Sequence, residues 1–495
     1  MKADLTKALC FVLCLFATLG VLTACNNQQS TPPSDTEQRY EEDTTEGKYD
    51  ANGYEKDSIT ETFGGETVRL LIWNEKKDEL MPEQSTNGMD IMTDEIYMRN
   101  LAIEDRLDIS LDPVYVNGNW TEREVFMEAA EKAGANNIDI VVSYTCWPAL
   151  MAQKGQLSNL NNLVYPELEK PWWPDSLGSY EIGGALYFVA NNSSIRLLRS
   201  MTVCYANTSM IEDFGLEDLA QKVLDYEWTI DMMLTYANYV QPNLDIPVED
   251  RTYGMTVDDP SRLDGFYYGA GLTTTTRDSA TGEVVMALNT ATAKEKTSNL
   301  IDKIGTLYSS DRVWTARYDD VTLMEENRTM FMISFLQSIV SLNENKNYTV
   351  LPMPMYDEEQ AAYYTIHTND YDVWGIFASA KNKEMCGTVI EAIASSDYRT
   401  IAPAYYDASV KYRYSNSEIG VQIFDLLRKS VIYEFGRIAA INIDNPISPM
   451  FRNCFWNGTS GVFSNKHVTV VEANYTVWDE NLFKLTILLE AFADR

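Results

Sequence analysis

The chain has 495 residues, 45% hydrophobic and 12% aromatic, with a net charge near -34 from 39 Lys and Arg against 73 Asp and Glu. That apolar content can bury a core over most of the length, which argues against a disordered tail or a fibrous repeat. So acidic a surface repels phosphate backbones and anionic headgroups, against nucleic-acid binding and polybasic membrane contact. The two histidines, His367 and His467, lie far apart, so no zinc site of several histidines is available.

The first elements concern export. Lys2 and Lys7 give a basic start, and residues 8–21 are nearly all apolar. Such a run fits the core of an export signal and is too short for a comfortable membrane span. It ends at Leu22-Thr23-Ala24-Cys25, small residues before a cysteine. That combination resembles a bacterial lipobox, which implies a diacylglyceryl group on the Cys25 thiol and removal of residues 1–24. Residues 25–60 then read as a lipidated cysteine and flexible tether, since 26–58 are polar, acidic and without apolar periodicity. The location implied is the extracellular face of the cell membrane, held by lipid. Cys146, Cys204, Cys386 and Cys454 are left in the body. Their spacings match neither a zinc ribbon nor a redox CxxC, and buried free thiols are the expected state.

In the body, TVRLLIW (67–73) predicts a strand, 93–107 a helix and 109–116 a second strand. A helix over 121–133 follows, with Thr121 as its N-cap and Glu124 at the capping-box position. IDIVV (138–142) reads as a strand buried on both faces. This β-α-β-α-β succession predicts an α/β fold with a mostly parallel sheet between helices. Ligands in such sheets bind beyond the carboxyl ends of the strands, which draws attention to Trp73, Asn74 and Glu75, then Tyr144 and Trp147. Further on, 201–205 is β-like, and helices are expected at 209–214, 219–226, 230–239 and 293–308. VWGIFA (373–378) is a strand, and helices follow at 383–395 and 419–431.

The order of these pieces resembles the extracellular solute-binding proteins, the carbohydrate-type receptors of bacterial ABC importers. The resemblance covers about 68–435. It is carried by IDIVVSYTCWPALMAQKGQLSNL (138–160), MTVCYANTSMIEDFGL (201–216), ENRTMFMISF (326–335), YTVLPMPMYDEE (348–359) and VWGIFASAKNKEMCGTVIEAI (373–393). It implies a two-lobed fold, each lobe a mostly parallel sheet with flanking helices, joined by a hinge of crossing strands. Lobe 1 would take 61–202 plus 375–404 and lobe 2 would take 203–374 plus 405–495. The crossings fall near 198–206, 371–378 and 402–411. Two departures matter. The loop 241–254 lacks the glycine and aspartate spacing of a calcium loop, so no metal or other cofactor is expected. The segment after Asp407 matches no solute subfamily.

The resemblance implies a solute, most simply an oligosaccharide, held in an interlobe cleft and delivered to permease subunits by a monomeric receptor. A sugar site needs aromatic platforms ringed by polar side chains. Position selects Trp73, Asn74, Glu75, Tyr144 and Trp147 in the first lobe and Asp264, Tyr267, Tyr268, Phe335 and Phe435 in the second. Asn369, Asp370, Tyr371, Tyr405 and Asp407 are selected near the crossings. Arg196 and Arg199 either pair with acids or hold a ligand acid. The pair Trp172-Trp173, between prolines, is expected to pack its loop on the first lobe. Walker, GxGxxG, HExxH and GxSxG motifs are absent, so no catalytic role is read. The competing readings are a surface carbohydrate-active enzyme and a sensory partner of a membrane kinase.

Overall fold

The computed structural model describes residues 47–490 apart from 84–90, 182, 192, 309, 315–319, 343–346, 406–417, 440–450, 453, 456–478, 481, 485 and 488–489. Cys25, Asp407 and His467 therefore lie outside the described residues. The described chain builds two five-stranded sheets and a separate hairpin.

The first sheet has the order β2-β1-β3-β12-β4, with β4 the short strand Phe188–Val189. β1 (Glu66–Trp73) pairs in parallel with β2 (Ile109–Val116) and β3 (Ile140–Tyr144). Helices α1 (Ile91–Leu107) and α2 (Arg123–Glu131) make the connections, as the sequence pattern predicts. Two local expectations are corrected. Ile138 and Asp139 do not open β3, because the Ile138 N–H closes the end of α2 on Ala133 O at 2.9 Å. Thr121 is not the cap. Asn119 is, its Oδ1 accepting the Thr121 N–H at 2.9 Å and hydroxyl at 2.8 Å, and a 3-10 turn (Trp120–Glu122) precedes α2. The asparagine side chain reaches the amide two residues on and fixes the turn before the helix can start.

The second sheet has the order β11-β5-β10-β6-β9. Its strands are β5 (Thr202–Asn207), β6 (Tyr253–Val257), β9 (Val313–Trp314), β10 (Thr329–Phe335) and β11 (Tyr348–Leu351). β7 (Thr275–Arg277) and β8 (Val284–Met286) form the hairpin. Followed through the pairings, each sheet has a single reversed strand, β12 (Asp372–Ile376) in the first and β5 in the second. These two are the strands by which the chain enters each sheet from the other. The segments leading into them pair with each other, Met201 opposite His367, with Thr202 N–H on Ile366 O at 2.8 Å and Thr368 N–H on Ser200 O at 3.0 Å.

This topology fixes where the sheets meet. β12 starts at Asp372, opposite Tyr144 at the carboxyl end of β3. β5 starts at Thr202, opposite Phe335 at the carboxyl end of β10. The carboxyl ends of both sheets thus converge on the hinge, and the fold is the expected two-lobed one. In the expected third crossing, Ala402–Tyr405 is a helical turn following a π turn, and the rest lies outside the described residues.

Residues 47–60, which composition groups with the tether, lie on the body. The Asp57 carboxylate is buried against Arg106 at 3.0 Å and Arg399 at 3.5 Å, and Glu55 pairs with Lys170 at 3.1 Å. Polar composition hid this because the contacts are ion pairs. Trp172 and Trp173 pack as expected, both indole N–H groups donating to the Glu391 carboxylate of α8 (Lys383–Ser396), at 3.0 and 2.9 Å. The four body cysteines are buried free thiols. No helix among the described residues is long and apolar enough to cross a membrane.

Candidate ligand site at the interlobe seam

On the first-lobe side, the carboxyl ends of β1, β2 and β3 bring four rings together. Trp73 stands edge-on to Tyr144 with centroids 5.7 Å apart, and Tyr144 lies 5.2 Å from Trp147. Trp147, in α3 (Cys146–Gln153), is buried and stacks on Trp120 at 6.1 Å and 20°. Trp120 is 51% exposed, so it presents the open face of the group. Burial lifts the Tyr144 phenol well above its ordinary value and keeps it neutral.

The loop that carries Trp120 is pinned from three directions. The Glu75 carboxylate accepts the Gly118 N–H at 3.1 Å and the Asn119 N–H at 3.3 Å. Asn74 donates to Asn117 at 3.2 Å. The Trp147 indole donates to Gly118 O at 2.5 Å. A Cβ on Gly118 would sit 2.5 Å from the Phe126 ring, so only glycine lets the loop approach this closely. Asn74 and Glu75 are at the seam as expected, with these polar groups spent on the loop.

At the hinge, Asn369 and Asp370 are partly exposed. Asn369 accepts Arg437 Nε at 2.8 Å and donates to Cys146 Sγ at 3.6 Å. The Asp370 carboxylate pairs with Arg196 at 3.0 Å and Lys76 at 3.5 Å. Arg196 is only 2% exposed, and Arg199 pairs with Glu79 at 2.8 Å. Both arginines are therefore held by acids. Tyr371 lies in the core, its hydroxyl 2.6 Å from that of Tyr180 and its ring 3.9 Å from His367. Burial, with Arg437 adding to it, lowers the His367 pKa to about 3, so the imidazole packs as a neutral ring.

On the second-lobe side, Asp264 opens α6 (Asp264–Gly269) and is 1% exposed. It accepts Arg437 Nη1 at 2.9 Å and Arg452 Nε at 2.8 Å, and Arg452 Nη2 makes a further contact. Glu434 orders this corner, accepting the Thr275 N–H at 2.8 Å, the Thr274 hydroxyl at 2.5 Å and the Arg437 N–H at 2.9 Å. Phe335 is covered by the Arg262 guanidinium, 3.4 Å above its ring and paired with Asp258 at 3.0 Å. Tyr267, Tyr268, Tyr405 and Phe435 are buried. Tyr267 donates to Thr273 O at 3.1 Å, and Tyr268 lies under Arg437 at 5.6 Å.

The seam therefore gathers Asn74, Glu75, Tyr144, Trp147, Asp264, Asn369 and Asp370. It leaves Tyr267, Tyr268, Tyr371, Tyr405 and Phe435 as packing. Sequence reasoning passed over Trp120, Arg262, Arg437 and Arg452. Trp120 was within reach, since it follows β2 as Trp147 follows β3. Among the described residues, no group of three or more His, Cys, Asp or Glu side chains is placed to hold a metal ion.

No protein-family model and no curated protein matches the chain. Solved structures match its fold. The extracellular solute-binding protein of Staphylococcus aureus, in complex with maltose, has a TM-score of 0.54 at 12% identity, over 85% of this chain and 98% of that one. The galacto-N-biose/lacto-N-biose I-binding protein of a Bifidobacterium longum ABC transporter gives 0.52 at 11%, over 86% and 99%. A sugar transporter protein of Rhizobium etli, in an open conformation, gives 0.51 at 13%, over 86% and 99%. The chain thus has the fold of the solute-binding proteins of ABC importers.

The buried Asp372 gives the hinge a pH signature. Burial, aided by Glu79, lifts its carboxyl from 3.8 to about 7, against the Trp73 indole, which donates to it at 3.1 Å, and Arg196. A carboxyl raised on folding holds its proton where the unfolded chain has lost it. Its stabilising contribution is full below pH 3.8 and is lost as the pH rises to about 7. Asp372→Asn should flatten the decline of unfolding free energy across that window, by up to about 1.4 kcal/mol per pH unit. Urea titrations at several pH values check this, and an unchanged slope contradicts it.

Proposed function

We propose that the protein captures a saccharide between its lobes and hands it to the permease of an ABC importer. The observation that carries this reading is the half-exposed Trp120, stacked on Trp147 beside Tyr144, with partly exposed Asn369, Asp370 and Arg452 across the seam. A sugar ring has an apolar C–H face and a rim of hydroxyls. Trp120 suits the face, and the amide, carboxylate and guanidinium suit the rim. The maltose and lacto-N-biose held by proteins of like fold support a saccharide over a peptide.

The two crossing strands and their paired lead-in segments suit hinge closure, with ligand favouring the closed form. Residues 61–202 with 375–404 would move against 203–374 with 405–495. Cys25 would carry the lipid that holds this monomeric receptor at the outer face of the membrane, where the permease is reached by diffusion in one plane. Such a role needs no bond making or breaking by the protein.

Calorimetry against a panel of mono- and oligosaccharides should find a binder. Trp120→Ala should weaken it by about tenfold or more, equivalent to about 1.4 kcal/mol, with little change in melting temperature. Binding only to peptides or amino acids contradicts the saccharide reading. Sustained release of reducing ends from a polysaccharide would make the protein a hydrolase, and capture of a kinase in place of a permease would make it a sensor. Cys25→Ala should abolish incorporation of labelled fatty acid in cells and release the protein to the medium. Label retained by the variant contradicts lipid attachment at Cys25.

A further inference from the structure

The hairpin β7–β8 belongs to the second lobe, and one of its side chains bonds the first. Arg277 closes the hairpin turn through Nη1, which donates to Gly282 O at 2.9 Å. Its Nη2 donates to Gly178 O at 2.7 Å and to Glu181 O. Those two carbonyls lie in and just after the 3-10 segment Asp175–Tyr180. Each side is held by its own lobe. In the first lobe Leu177 and Tyr180 are buried, the Tyr180 ring lies 5.6 Å from that of Phe188 in β4, and Asn161 donates to Gly184 O at 3.0 Å. In the second, Glu434 accepts the Thr275 N–H at 2.8 Å, and Thr273 O accepts the Tyr267 hydroxyl at 3.1 Å. Asp278 fixes the turn, accepting the Ala280 and Thr281 N–H groups at 2.9 Å each. The Arg277 side chain is thus the compliant part of the contact, and a change of lobe angle that parts these segments breaks its bonds.

We infer that Arg277 is a clasp between the lobes, separate from the crossing strands, which favours the lobe angle of this structure over other angles. A guanidinium suits this task. Its planar fork reaches several carbonyls at once, and a charged donor makes a stronger bond than a neutral one. The contact is also reversible. Arg277 and Gly178 are exposed, so water takes over donor and acceptor when the clasp opens, and no buried polar group is left unmatched. The hinge arginine, Arg437, is buried and has no such exchange open to it. The clasp therefore biases a population of lobe angles and does not lock it, and a ligand that prefers one angle works with or against that bias.

The test is pulsed electron-spin distance measurement without ligand, on labels at Glu131→Cys in the first lobe and Glu295→Cys in the second. Arg277→Ala, and separately Arg277→Gln, should lower the population at the separation that this lobe angle gives by at least about threefold relative to other separations. The distribution should widen in both. Arg312→Ala is the control, because Arg312 donates to Val240 O at 3.0 Å and to Gln241 at 2.7 Å, both within the second lobe. It removes a like contact and should leave the distribution unchanged. Melting curves confirm that each variant is folded, and the two Arg277 variants guard against one failing to fold. If both folded Arg277 variants keep the wild-type distribution, or Arg312→Ala changes it equally, the clasp is overturned. No ligand enters the measurement, so its outcome is independent of the saccharide reading.

Discussion

A buried arginine ties the parts of this molecule to one point. Arg437, in α10 (Phe435–Ala439), donates to Asp264 of the second lobe and to Asn369 of the crossing segment, and its carbonyl accepts from Cys146 of the first lobe. Burial works against its charge, and the Asp264 carboxylate beside it holds the guanidinium above its ordinary pKa. A buried charge costs several kcal/mol unless paired, so this corner is stable only with Asp264, Asn369 and Glu434 in register. The hinge is thus a polar knot set in aromatic packing, where Tyr180, Tyr371 and Tyr433 enclose His367.

The same knot explains which candidate residues are open to a ligand. Asp264 accepts from two arginines and has no oxygen free of them. Phe335 lies under Arg262. The exposed chemistry falls instead to Trp120 and to the rim of partly exposed polar groups at the hinge. The loop beneath Trp120 is fixed by Glu75, Asn74 and the Trp147 indole, so its position is set by the fold itself.

Much of the frame was legible from residue pattern. β1 and β2 matched within a residue because their apolar runs are short, β-rich and bounded by polar turns. The rule that ligands meet strand ends drew attention to Glu75, Tyr144 and Trp147, which the fold brings together at the seam. Residue pattern did not separate exposed from buried positions among the hinge aromatics. Tyr268, Tyr371 and Phe435 are buried where two lobes meet, and an aromatic residue suits that place as well as it suits a sugar. Arg437 and Arg452 carried no local signal, because their partner Asp264 lies 173 and 188 residues away in sequence. Pairing over such distances is a product of the fold and leaves no periodicity.

The central claim is that two lobes hinged at this knot close on a saccharide held against Trp120. Exposed Glu131 in the first lobe and Glu295 in the second accept spin labels after replacement by cysteine, while the native body thiols are buried. Pulsed electron-spin distance measurement with and without a bound oligosaccharide is the direct test. The account predicts a broad, longer separation without ligand that becomes shorter and narrower when the site is saturated. A distribution that does not change while calorimetry shows full occupancy would contradict it.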